Sequence, residues 1–258
     1  MRKIFSALLI LSLCTQLHAH ELTIKPKSTE FKQGEIFEAT VQSSHKFIIP
    51  EEVEILERVK AGIFEDGKFI NSKLTADEKN LCINFNVTPK NINSSIILFA
   101  TKDGETWCIT NEGGKSGAKS KLEAQGLKVI SANKYDKFAK IILNASHEDK
   151  NFNAALNFPL EIIPVTNPAD VKTGEYFDVK ILLNGQNYTG PVWASYDGFT
   201  PEYENTYSYY TEAENGIAHI KITNPGLWGV RAVQNNLPGV KDDYDALNLR
   251  SFLLFYVK

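Results

Sequence analysis

The sequence predicts an all-β protein of sandwich type, and three observations carry that prediction. Helical periodicity is scarce along the 258 residues. Short apolar runs of strand length recur instead, separated by Gly, Asn, Asp and Pro. The clearest alternation, Tyr176 to Leu183, runs into Asn184-Gly185, a dipeptide that tolerates the positive φ angles of a two-residue hairpin turn.

The chain opens on a stretch that reads as a secretory leader, residues 1–19. Arg2 and Lys3 give the positive start, Ile4 to Leu13 the apolar core, and Ala19 a small residue before the cut. A cut after Cys14 is a competing reading and would leave His20 internal. Lipid attachment at Cys14 is disfavoured by the bulk of Leu13. No later run reaches the roughly 18 apolar residues that a membrane helix needs, so the expected location is the periplasm. Cleavage at 19 removes two cations and no anion. It leaves 26 Lys and Arg against 31 Asp and Glu, a formal charge of −5. That balance argues against nucleic acid and anionic membrane surfaces as partners.

Roughly 240 residues remain, enough for two small domains. In the first, 20–146, strands are expected at Leu22–Pro26, Ile36–Gln42, Gly62–Phe64, Leu81–Val87, Ile96–Thr101, Thr106–Thr110 and Tyr135–Asn144. His45 falls on a rim loop just past the second of these, where binding groups are commonly placed. Glu112 to Gly117 reads as a flexible loop; a phosphate cradle would need glycine where Ile109 stands. Cys82 and Cys108 each lie in a strand, and an oxidising compartment favours a disulfide between them over two buried thiols. A polar stretch, 147–153, reads as a linker. The second domain, 154–258, has strands expected at Leu160–Pro164, Val171–Leu183, Val192–Tyr196, Ala218–Ile222, Leu227–Ala232 and Ser251–Val257, with His219 on a polar face.

The chemistry is expected at His20. Cleavage after Ala19 would give it a free α-amine, with a reference pKa of about 8, beside the imidazole Nδ1. The two donors can close a chelate ring on nickel, cobalt, copper or zinc, and nitrogen donors do not suit calcium or magnesium. His45 offers a second imidazole, and reads equally as a rim histidine bonded to backbone. The remaining position falls to Glu21, another Asp or Glu, or water. His147 and His219 read as solvated. Trp193 with Tyr203, Tyr207, Tyr209 and Tyr210 reads as core and cross-strand packing ahead of a sugar- or peptide-stacking surface. No G-x-S-x-G or H-E-x-x-H motif occurs, so no enzyme is predicted.

Several motifs occur in a fixed order. After the leader come Ala19-His20-Glu21, then Ser44-His45-Lys46-Phe47, then Leu160-Glu161-Ile162-Ile163-Pro164-Val165-Thr166-Asn167-Pro168. Gly174, Leu183-Asn184-Gly185, Ala194 to Phe199 and Asn224-Pro225-Gly226-Leu227-Trp228 follow. In this the chain resembles the exported nickel-uptake family proteins, a periplasmic β-sandwich domain formerly of unknown function and often encoded beside energy-coupling-factor nickel/cobalt transporters. The resemblance spans nearly the whole chain after the leader and is densest in the second half. It implies two Ig-like/carboxypeptidase-regulatory-like β-sandwich domains in tandem, and a protein that binds nickel or cobalt for delivery to a membrane metal transporter. It carries His20 over as a ligand, and His45 with it, although Ser44 stands where glycine is common. Two rival functions stay open. One is a copper carrier or oxidative copper enzyme built on a histidine brace; the other is a non-catalytic carbohydrate- or protein-binding module.

Overall fold

Residues 20–258, which the computed structural model describes, form an all-β structure, with the alternation of buried and exposed side chains clearest over Tyr176–Leu183 and Ile217–Lys221. The leader expected over 1–19 lies outside the described residues. The first half comprises β1 (Glu21–Pro26), β2 (Phe37–Ser44), β3 (Val59–Glu65), β4 (Lys68–Asn71), β5 (Thr75–Asp77), β6 (Cys82–Val87), β7 (Ile96–Lys102), β8 (Thr106–Thr110), β9 (Gly113–Ser116), a short helix α1 (Lys119–Glu123) and β10 (Val129–Leu143). The second comprises β11 (Leu160–Pro164), β12 (Tyr176–Leu183), β13 (Gln186–Asn187), β14 (Gly190–Tyr196), β15 (Tyr209–Ala213), β16 (Ile217–Lys221), β17 (Gly226–Val240) and β18 (Tyr244–Val257).

The stretch expected as a linker, 147–153, falls between β10 and β11, yet it does not part the sheets. A ten-stranded sheet runs β15-β14-β17-β18-β10-β7-β3-β4, with β8 and β9 branching from β10. Its central seam pairs β10 with β18 in parallel, Asn133 opposite Ala246 through Ile142 opposite Phe255. The two halves therefore share one sheet.

Two four-stranded sheets cover this shared sheet from opposite sides. On β7, Leu98 and Ala100 join the core beneath β1-β2-β6-β5, while Ile97 and Phe99 join the core beneath β11-β12-β13 and β16. On β18, Phe252 and Leu254 face the first core, Leu253 and Phe255 the second. A strand buried on both faces needs an unbroken apolar run, and Ser251 to Val257 supplies one.

Three expectations are corrected. The expected disulfide is not formed: Cys82, on β6, and Cys108, on β8, are both buried free thiols. They belong to different sheets, and the Cys108 Sγ donates instead to the Gly117 carbonyl at 3.4 Å. The Gly/Lys/Ser segment is no loop, because Gly113 to Ser116 form β9, which pairs with β8. Finally, the strand expected at Leu227–Ala232 continues to Val240 and returns as β18, the run of acidic residues at 242–243 serving as the hairpin turn.

Candidate metal centre

Strand register brings the two predicted histidines together. β1 pairs with β2 so that Glu21 stands opposite Ser44. His20, one residue before, comes level with His45, one residue after. The imidazole centroids are 3.9 Å apart and tilted by 45°.

Beyond Ser44 the chain makes a tight excursion and comes back on itself. Ser43 bridges Glu52, and the Glu51 amide donates to the Ser43 carbonyl at 3.0 Å. Two apolar anchors hold the excursion down. Phe47 stacks on Phe252 of the shared sheet at 6.1 Å, and Ile48, 2% exposed, enters the first core. Ile48 does so at φ +59°, a conformation costly for a β-branched residue, which persists because the packing dictates it. From the β14–β15 connection, the Asn205 amide donates to the His45 carbonyl at 2.8 Å and braces the loop from outside.

This return path delivers two carboxylates that the sequence reading did not single out. Glu51 Oε2 accepts the His45 backbone N–H at 2.8 Å and lies 3.2 Å from His45 Nδ1 and 3.4 Å from His20 Nε2. One ligand atom from each of His20, His45 and Glu51 lies within 4.8 Å of the others, the single such group of three or more among the described residues. All three side chains are partly open, at 25%, 19% and 23% exposure, so a cation can reach them from solvent.

Glu52 supports His20 from the other side. Its Oε1 lies 2.7 Å from His20 Nδ1, which turns the other ring nitrogen, Nε2, toward Glu51 Oε2 at 3.4 Å. The bonded imidazole holds the Glu52 carboxyl below its ordinary value. The nitrogen expected to close a ring with the α-amine is thus engaged by Glu52. Ser43, 1% exposed, lies behind, with its Oγ 3.3 Å from Glu52 Oε1 and 2.8 Å from Glu54 Oε1. Burial works to raise the Glu54 carboxyl, but Lys137 and Lys102 outweigh it and bring it down to about 2.

Glu21 does not join the site, which corrects its expected role as a ligand. Its Oε1 accepts from Arg231 Nε at 2.7 Å and Arg250 Nη1 at 2.9 Å, in a pocket that leaves it 4% exposed. Burial pushes its carboxyl up, and the two guanidinium groups override this and hold it down. The Arg231 guanidinium in turn lies 4.7 Å from the Trp193 ring and 5.5 Å from Tyr207, both half-buried, so these two aromatics of the tyrosine-rich cluster pack on a buried cation. Tyr203 is exposed. His147 and His219 are exposed and lie against Asp170 and Asp178, away from this group.

Two imidazoles and a carboxylate suit a late first-row divalent ion, and with one acidic ligand they offset part of its charge. The signal for Glu51 and Glu52 was present in the sequence: an acidic pair placed directly after Ile48-Ile49-Pro50, where a turn could bring it back to His45. A family model described as Domain of unknown function (DUF4198) matches residues 17–236. No curated protein matches the chain.

Proposed function

The chain belongs to the family described as a domain of unknown function (DUF4198), and from that premise we propose that it is a transition-metal-binding protein of the periplasm, nickel being the first candidate and cobalt the second, that supplies its ion to a membrane uptake transporter. The observation that carries the reading is the convergence of His20, His45 and Glu51 on one point. On this reading His20, His45 and Glu51 each give one donor atom to the ion, an imidazole nitrogen from each histidine and a carboxylate oxygen from Glu51. Glu52, backed by Ser43, orients the His20 ring, the support that metal-bound histidines commonly receive from a neighbouring carboxylate. The scaffold is a pair of Ig-like sandwiches fused along their common sheet. The partly open position of the three donors suits a carrier that must give its ion up. Nickel is preferred to copper and zinc on the sequence resemblance, since the donor set accepts all of them.

A histidine-brace copper carrier would use the α-amine together with Nδ1 and would have to detach Glu52. The two modes are separable. Protein beginning at His20 and protein carrying one extra residue before it are titrated calorimetrically with nickel, cobalt, copper and zinc. The proposed mode predicts similar nickel affinity for both forms and a loss of about 100-fold or more in His45→Ala and Glu51→Ala, a cost of roughly 3 kcal/mol. Affinity that disappears with the extra residue would establish the amine chelate instead. Equal binding by wild type and both variants would overturn the site.

A further inference from the structure

We infer that the edge of the shared sheet farthest from the second half carries a binding site for a small aromatic carboxylate, independent of the metal centre. The site follows from how the sheets overlap. The second core is covered by β11, β12, β13 and β16, and the face of β3 and β4 that continues this core is capped only by the segment leading into β11. What remains is a recess of about 270 Å³ whose lining includes Phe69, Phe99 and Phe158, with Lys60, Asn71 and Asn157 among its polar residues. That is near the lower end of the volumes that small-ligand pockets occupy.

Register explains the composition. Lys60 stands opposite Thr101, and Gly62 stands opposite both Phe99 and Asn71, so these side chains share one face. Gly62 contributes no side chain between them, and a Cβ there would come within 2.0 Å of the Ile70 carbonyl oxygen. The aromatic walls are set at angles that suit a ring. Phe69 stacks on Phe158 at 5.9 Å and meets Phe99 edge-on at 4.8 Å, while its own side remains 45% exposed.

The wall is held in place by a buried ion pair. Lys140 and Glu161, each 2% exposed, lie 2.7 Å apart. Lys140 Nζ also donates to the Ala154 carbonyl at 3.3 Å, and Glu161 accepts the Leu156 amide at 2.7 Å. The segment bearing Phe158 is therefore preformed.

The charge selects the ligand. No carboxylate lines the recess, and among the described residues none lies within ion-pair distance of Lys60. An anion on a flat apolar body matches three phenyl rings, two amides and one unpaired ammonium. A cation or a purely aliphatic ligand would leave either Lys60 or the rings unused.

The probe is 3-phenylpropionate, titrated into the full mature chain and followed by amide chemical shifts. Its uncharged amide, 3-phenylpropanamide, serves as comparison. Expected are binding in roughly the millimolar range, shifts confined to the strand and segment residues around the recess, Lys60, Phe69–Asn71, Phe99–Thr101 and Leu156–Phe158, and loss of binding in Phe69→Ala. That residue is exposed enough for the variant to fold. Lys60→Gln should weaken the carboxylate about five-fold and leave the amide unchanged, as a partly exposed ion pair would. Equal binding of acid and amide to wild type, shifts elsewhere, or full binding by Phe69→Ala would each overturn the site. So would concentration-dependent dimerisation that shields the same amides, since the recess would then be filled by a second copy.

Discussion

Single side chains settle which carboxylate does what around His20. Glu21 is adjacent in sequence and is spent on Arg231 and Arg250, whereas Glu51 and Glu52 are thirty residues away and touch the imidazoles. Glu21→Gln should cost roughly 3–5 kcal/mol in denaturant unfolding, because two guanidinium groups stay buried with less compensation. The stoichiometry of nickel bound to the folded fraction should not change. A variant of normal stability that no longer binds nickel would return Glu21 to the ligand set. Glu52→Ala should weaken nickel binding about 10–100-fold by releasing the His20 ring. Glu54 makes a prediction about pH. Its folded carboxyl sits at about 2 against an ordinary 4.5, so its contribution is complete above 4.5 and disappears as pH falls from there toward 2. The stability gap between wild type and Glu54→Gln should therefore shrink between pH 7 and pH 3, by about 2 kcal/mol, with the remainder lost below pH 3. A gap that is constant with pH would remove Glu54 as the cause.

At the scale of elements, the candidate metal centre sits on a loop held by two apolar anchors, Phe47 and Ile48. Phe47 reaches the shared sheet only because position 229 on β17 lacks a side chain, and a Cβ there would stand 2.4 Å from the Phe47 ring. Gly229→Ala should therefore destabilise the protein by about 1–3 kcal/mol through overpacking. It should also weaken nickel binding, since Phe47 lies two residues from His45. Phe47→Leu combined with Gly229→Ala should recover part of both losses. Calorimetry on the single and double variants decides this, and a Gly229→Ala protein with unchanged affinity would show that the loop holds without Phe47. Much of this level was legible beforehand. The strand ends around His45 were read from Ile36 to Gln42, and the pairing of β1 with β2 needs only alternation and one turn. The return through Pro50 was not, because a segment such as Ile48-Ile49-Pro50 states that something apolar is buried there and not where it goes.

At the scale of the whole molecule, β10 and β18 join the two halves of the described residues in one sheet. One strand closes the first half of the chain and the other closes the second, and they align over ten residue pairs, from Asn133 with Ala246 to Ile142 with Phe255. Both cores draw side chains from both halves, Ile97 and Ile142 in one, Leu227 and Phe252 in the other. Urea unfolding of residues 20–258 should thus show a single transition with coincident far-ultraviolet and tryptophan signals. Fragments cut at 147–153 should fail to fold alone and should regain structure when mixed. Two separate transitions, or a stable 154–258 fragment, would show that the halves are independent.

The chain's own residues determined the class of fold, the position of most of the longer strands, and the two histidines of the candidate centre. All of these rest on local signals: alternation along a strand, turn dipeptides such as Asn184-Gly185, and a histidine at each end of a predicted strand pair. What only the tertiary structure decided was which distant segments meet. Parallel pairing of β10 with β18 leaves no turn between the two strands to announce it. Cys82 and Cys108 look alike as cysteines within strands, and are parted because those strands enter different sheets. Glu21 and Glu51 are chemically identical carboxylates, and their roles diverge because one is met by two arginines from the far end of the chain and the other by a second imidazole. Long-range contact is a property of how the layers stack, and no stretch of local pattern encodes it by itself.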